Sequence, residues 1–208
     1  MPEIYFQGFL TRIIGLQGYG NRFSTKRLED YIHREQFDLI HLHNIHGYFL
    51  NLGFINFLKK LNMPVLWTLH DGWSITGRCA CWFNCEKWKV GCENCPDLSP
   101  YPKSFIDSTS FMWKKKKNYF SSGWTPVIVC PSQWLADRVK DSYLREYQVK
   151  VIPNAVDVEV FKSNNRNTIR KKYGIPIGKK VVLCLAADLE DKRKGIKYFF
   201  KSLKYLTA

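Results

Sequence analysis

Acidic side chains are scarce in this sequence of 208 residues, and long apolar runs are missing. Its longest apolar stretches, such as Phe54 to Leu58, fall far below membrane-spanning length, so a soluble protein is expected. No charged-then-apolar segment ending in a small-residue cleavage site opens the sequence. A reducing compartment is therefore expected, in which metal ligation outranks disulfides for the cysteines. Repeats and low-complexity tracts are also lacking, and 45% hydrophobic with 15% aromatic residues excludes a disordered chain. The length suffices for one good core, or for one domain and part of another. Only 18 Asp and Glu offset 32 Lys and Arg, and the formal charge of +14 favours anionic partners such as nucleic acid, anionic lipid or nucleoside diphosphates.

Cysteine, by contrast, is concentrated. Five cysteines lie between Cys79 and Cys95, directly after an apolar run, Val65 to Leu69, that ends in His70-Asp71. Cys79, Cys85, Cys92 and Cys95 have the spacing to converge on one tetrahedral zinc, with Cys92-x-x-Cys95 as the tight knuckle and Cys81 as the spare. Reduced structural thiols and disulfides are the alternatives. Four thiolates would leave no open position for a reactive water, so such a zinc would be structural, stapling a long insertion at about 77–102, and no catalytic metal is expected.

Helical spacing runs through Asn21 to Gln36, with Ser24 as the expected N-cap. A strand follows at Phe37 to His43 and a helix at Tyr48 to Lys60, which Asn62-Met63-Pro64 ends before the strand at Val65. After the cysteines the pattern predicts a helix over Ser104 to Phe120, a strand at Val127 to Cys130 and a helix over Gln133 to Leu144. A strand at Val149 to Ile152 closes the series. This alternation predicts an α/β fold with a parallel sheet and crossover helices. A polar, turn-rich stretch from Pro153 to Asn167 reads as a linker. Beyond it, Lys179 to Ala187 and Gly195 to Leu206 read as one strand and one helix, so residues 1–160 form a first domain and 161–208 a linker with the first βα unit of a second.

His70 and Asp71 stand where a buried parallel strand emerges, the place where α/β folds hold ligands; a histidine bonded to neighbouring backbone is the plain alternative. Three more histidines, His41, His43 and His46, flank the end of the preceding strand with Asn44 and Gly47. They lack a carboxylate at ligand spacing, which disfavours metal and leaves ligand contact or structural hydrogen bonds. Ser132 opens a helix after a strand, where it either meets an anionic group or caps the helix. The run Lys114 to Lys117 follows Phe111, Met112 and Trp113; a solvated helix face with apolar anchors and a membrane-surface segment both fit it.

Taken together, IHLHNIHGYFLN at 40 to 51, WTLHDGWSITGRC at 67 to 79, the C-x6-C-x2-C-P pattern ending at Pro96, VCPSQWLADRVKDSYL at 129 to 144, VIPNAVDVEVF at 151 to 161 and KGIKYFF at 194 to 200 resemble a bacterial family-4 glycosyltransferase of the capsule or exopolysaccharide type. The resemblance implies a GT-B fold: two Rossmann-like domains facing a cleft, the first for the acceptor and the second for the nucleotide-sugar donor. It implies a retaining transfer onto a polysaccharide or polyprenyl-diphosphate-linked acceptor, in the cytoplasm, peripherally on the inner membrane face where anionic lipid is met. By the same resemblance His70 and Asp71 belong to the catalytic site, and His43, Asn44, His46 and Gly47 to the acceptor side. Ser132, Lys194 and Gly195 belong to the donor side. Three departures stand out. The first strand and its glycine-rich turn, which the resemblance implies upstream, are missing from this sequence. Ala187-Asp188 replaces the Gly-Arg usual after the second domain's first strand, and the paired glutamates that hold the nucleotide-sugar lie outside this sequence. The fragment by itself is thus expected to be inactive. A zinc-containing nucleic-acid-binding module and a non-catalytic acceptor-binding fragment are the alternatives. The former is disfavoured because the basic residues are spread over several elements, and no nucleic-acid partner is expected.

Overall fold

The computed structural model describes residues 2–121, 123–163 and 165–206, which fall into two compact units, Met1–Ala155 and Val156–Ala208. That division lies a few residues before the boundary placed at 160.

In the first unit four short strands, β1 (Ile40–His43), β2 (Val65–Thr68), β3 (Val127–Cys130) and β4 (Val149–Val151), make one parallel sheet in that order. Ile40 pairs with Val65, Leu66 with Val127 and Ile128 with Val149. Parallel neighbours need a crossover between them. The crossovers carry α3 (Phe54–Leu61), α4 (Thr109–Ser121) and α5 (Gln133–Lys140), in the α/β order that the sequence predicts. Trp67, Ile128 and Cys130 on the strands are inaccessible to solvent, as expected for a parallel sheet covered by helices. Phe54, Ile55 and Leu58 of α3, Phe120 of α4 and Val139 of α5 complete the core. The Trp67 ring meets Phe120 edge-on at 4.8 Å and Trp124 at 5.3 Å.

One helix cap and two helix starts differ from the sequence reading, each because a distant partner holds the residues there. The helix α2 (Arg22–Arg34) begins two residues before Ser24. Its first amides are capped from α1 (Pro2–Ile14): the Glu3 carboxylate accepts from the N–H groups of Phe23 and Ser24, both at 2.9 Å, and from the Ser24 hydroxyl at 2.7 Å. Residues 104–108 are not helical. Phe105 and Ile106 donate their amides to the carbonyls of Arg12 and Ile13, and the Ser108 hydroxyl donates to that of Ile14, which satisfies the free carbonyls at the end of α1. The helix expected from Tyr48 starts at Phe54, because Asn51 donates its side-chain amide to Tyr19 and Gly20 and is held outside it.

The second unit contains α6 (Arg166–Lys172), capped by Asn165, whose side chain accepts from the amides of Asn167 and Thr168, and α7 (Ile196–Leu203). The expected strand at residues 179–187 pairs with nothing among the described residues. Leu183 and Leu185 there are 83% and 88% exposed, since a strand without a neighbour has nothing to satisfy its backbone or cover its side chains.

Candidate functional site

Side chains alternate along a strand, so His41 and His43 share one face of β1. The β1–β2 register sets His43 opposite Thr68, and His70, two residues further on, returns to the same face. Two polar contacts result: Nε2 of His41 lies 2.8 Å from the Thr68 hydroxyl, and Nδ1 of His43 lies 2.9 Å from Nε2 of His70. The rings of His43 and His70 stack at 5.2 Å, and that of His41 stands 4.1 Å from His43. Burial, with the charges of His43 and His70 added, holds the His41 imidazole below its usual pKa. His43 and His70 are exposed.

Asp71 turns the other way. Its Oδ2 lies 3.1 Å from Nε2 of the buried His46, and its Oδ1 accepts from the Trp73 amide at 2.9 Å. Burial acts to raise the carboxyl. The His46 contact, the Trp73 amide and the charge of Lys116 outweigh it and hold the carboxyl below the usual range. Lys116, on α4, is fully buried; its ammonium donates to the Trp73 carbonyl at 2.5 Å and lies 4.0 Å from the centre of the Trp73 ring. Burial brings its pKa down to about 7. The loop also needs a glycine at Gly72, where a Cβ would fall 1.9 Å from the Trp82 ring.

Of the other residues singled out in the sequence, Asn44 and Gly47 are exposed in the loop after β1, and the His46 side chain faces Asp71. The Ser132 hydroxyl accepts from the Leu135 amide at 3.3 Å and so caps α5 at the same sheet edge as His70. Lys194 ends a short 3-10 turn in the second unit, with its amide donated to the Asp191 carbonyl, and Gly195, at φ 66°, starts α7. The lysine run does not form one surface: Lys114, Lys115 and Lys117 are exposed, whereas Lys116 is internal. Sequence reasoning missed Lys116. The signal was present in Thr109, Met112, Trp113, Lys116 and Phe120, which recur at helical spacing and are the buried residues of α4.

All seven cysteines are free. Cys79, Cys85, Cys92 and Cys95 border one cavity, together with Trp82 and Trp88, that leaves about 20 Å³ for the centre of a water. Burial pushes the Cys92 thiol up to about 12 and raises that of Cys79 as well. The Cys92 sulfur accepts from the Gly77 amide at 3.1 Å, and a Cβ at Gly77 would meet the Thr109 carbonyl at 2.3 Å. Among the described residues no group of three or more His, Cys, Asp or Glu is arranged to hold a metal ion. The zinc expected from the spacing thus has its four thiols around a common cavity but no ready ligand set. The thiols of Cys79 and Cys92, raised by burial, resist the loss of a proton that metal ligation requires.

Residues 8–160 match the family described as Glycosyltransferase Family 4. Over 128 residues the chain is 35% identical to a protein of Escherichia coli (strain K12) that carries the name colanic acid biosynthesis glycosyl transferase WcaC. That alignment covers 58% of this chain, which spans 31% of the relative's length. No solved structure matches.

Proposed function

Because the chain belongs to glycosyltransferase family 4, we propose that it is the acceptor-side part of a retaining glycosyltransferase, moving sugar from a nucleotide-sugar to a polysaccharide or polyprenyl-diphosphate-linked acceptor. The observation that carries this reading is the convergence of His43, His70, Asp71 and His46 where adjacent parallel strands β1 and β2 end. Ligands of open parallel sheets bind at that edge. His70 is the group that touches the reacting sugar, and Asp71, held by His46 and the Trp73 amide, sets the loop that presents it. Asn44 and Gly47, exposed at the tip of the preceding loop, border the acceptor together with His43. Ser132 faces the donor from the head of α5, and Lys194 and Gly195 serve the donor diphosphate from the second unit.

In a form completed with its donor domain, His70→Ala is expected to lower turnover by about 10²-fold or more with little change in melting temperature. Near-normal turnover would remove His70 from the site, and unfolding would make it a structural group. Retention is read from the anomeric configuration of the product by NMR.

Two finer parts of the reading have separate supports. A structural zinc at Cys79, Cys85, Cys92 and Cys95 is supported by the cavity that all four thiols border. Peripheral attachment to the cytoplasmic membrane face is supported by the formal charge of +14, by exposed Tyr5, Phe6 and Phe9 on α1, and by exposed Phe105 and Ile106, whose amides bond to the end of α1. No helix among the described residues is long and apolar enough to cross a membrane. Co-sedimentation with phosphatidylglycerol vesicles, lost with phosphatidylcholine and weakened by salt, is the expected outcome; equal recovery with both lipids would remove the electrostatic part.

A further inference from the structure

The imidazoles of His43 and His70 meet through unlike nitrogens, Nδ1 of the first and Nε2 of the second. A neutral imidazole carries one N–H and one lone pair, so one ring donates and the other accepts. If His43 donated, it would need its proton on Nδ1, and His70 would carry its own proton on Nδ1 too. If His70 donates, both rings keep the proton on Nε2. That second form is the ordinary one for histidine, because a bare Nδ1 faces the residue's own backbone N–H. Only this direction lets both rings keep it.

We propose that His43 is a positioning residue for His70: it accepts the Nε2–H of His70, fixes the ring, and leaves Nδ1 of His70 unprotonated and facing solvent. No hydrogen-bond partner among the described residues occupies that Nδ1. A bare nitrogen accepts, so the group it receives is a hydroxyl rather than an ionised phosphate oxygen, which has no proton to give. That the hydroxyl belongs to a sugar rests on the glycosyltransferase reading; the tautomer does not. The second contact of the histidine cluster, His41 to Thr68, holds the neighbouring ring on the same face. The acidic group nearby in sequence, Asp71, is engaged with His46 and Trp73.

The test is long-range proton–nitrogen NMR of the ¹⁵N-labelled chain at about pH 8.5, where imidazoles are ordinarily neutral. The ratio of Nε2–H to Nδ1–H at His70 is expected to exceed that of an unpartnered histidine by about fivefold or more, the factor that a net hydrogen bond of about 1 kcal/mol sustains. In His43→Leu that added excess should vanish and the ratio fall back to the ordinary preference of a histidine without a partner. In His43→Asn, whose amide oxygen can take the place of Nδ1, the excess should persist. An Nδ1–H or mixed His70 in the unchanged protein overturns the proposal, and this spectrum decides the matter even if His43→Leu fails to fold. An unchanged ratio in His43→Leu overturns it as well, since a merely structural His43 would leave the tautomer alone. With methyl β-glucoside as probe the Nδ1 signal of His70 should move, and with methyl phosphate, a dianion without a proton at that pH, it should not. No movement with the glycoside, or movement with phosphate, overturns the hydroxyl assignment. The tautomer ratios stand whether or not the completed protein transfers sugar, so failure of the broader reading is told apart from failure of this one.

Discussion

Asp71 stays ionised because of its neighbours, and this gives the site a pH dependence of definite sign. Its carboxyl is depressed in the folded chain despite burial, so folding is favoured by it above the ordinary carboxylate range and loses that contribution as pH falls through the lowered value. Thermal melts between about pH 5 and pH 2 should therefore show a shallower loss of stability in Asp71→Asn than in the unchanged chain. An equal slope in both would show that Asp71 contributes nothing specific. At this scale the sequence is legible where local pattern suffices: His70 and Asp71 end an apolar run, and their place at a strand end follows from that alone. The His46 contact does not follow, because it depends on the loop between β1 and α3 folding back toward β2. Nor does the burial of Lys116, since a run of four lysines reads as solvent-facing until its helical phase is set against Met112 and Phe120.

From α2 to β4 the elements were legible in kind and order, and less so at their ends, whereas α1 and α6 went unread and the strand expected at 179–187 is unpaired. The four strands of the first unit lie within the stretches that read as strands, because short apolar runs between turn signals leave few alternatives. The cap of α2 and the start of α4 were misplaced for one physical reason: the first amides or preceding residues bond to α1, about 20 and 90 residues away, and capping rules see only local partners. The cysteine module is the element on which spacing and structure differ most. Spacing brings four thiols to one cavity, but their protonation states and the packing of Trp82 and Trp88 decide what the cavity holds. Elemental analysis after chelator-free purification is expected to give about one zinc per chain, with all four thiols slow to alkylate. Metal below about 0.2 equivalents, with Cys85 and Cys95 reacting freely, would leave a cluster of reduced structural thiols.

For the whole molecule the deciding quantity is how much donor-binding surface the chain carries. It spans 31% of the length of its relative, and its second unit contributes two helices and the unpaired stretch at 179–187. In the proposed reading the diphosphate meets Lys194, which is exposed. An exposed charge pair contributes roughly 0–1 kcal/mol, whereas association costs at least about 4 kcal/mol in lost translational and rotational freedom. Lys194 therefore cannot sustain tight binding, and the Ser132 hydroxyl already caps α5. This chain alone should bind UDP-glucose or GDP-mannose with a dissociation constant of about 1 mM or weaker, no more favourable than roughly −4 kcal/mol. Titration calorimetry with each nucleotide-sugar reads this directly, and Lys194→Ala should change so weak an affinity by less than about fivefold. A micromolar constant would mean that the residues present, or a second chain, already build a donor site. The assignment of this chain to the acceptor side alone would then fail.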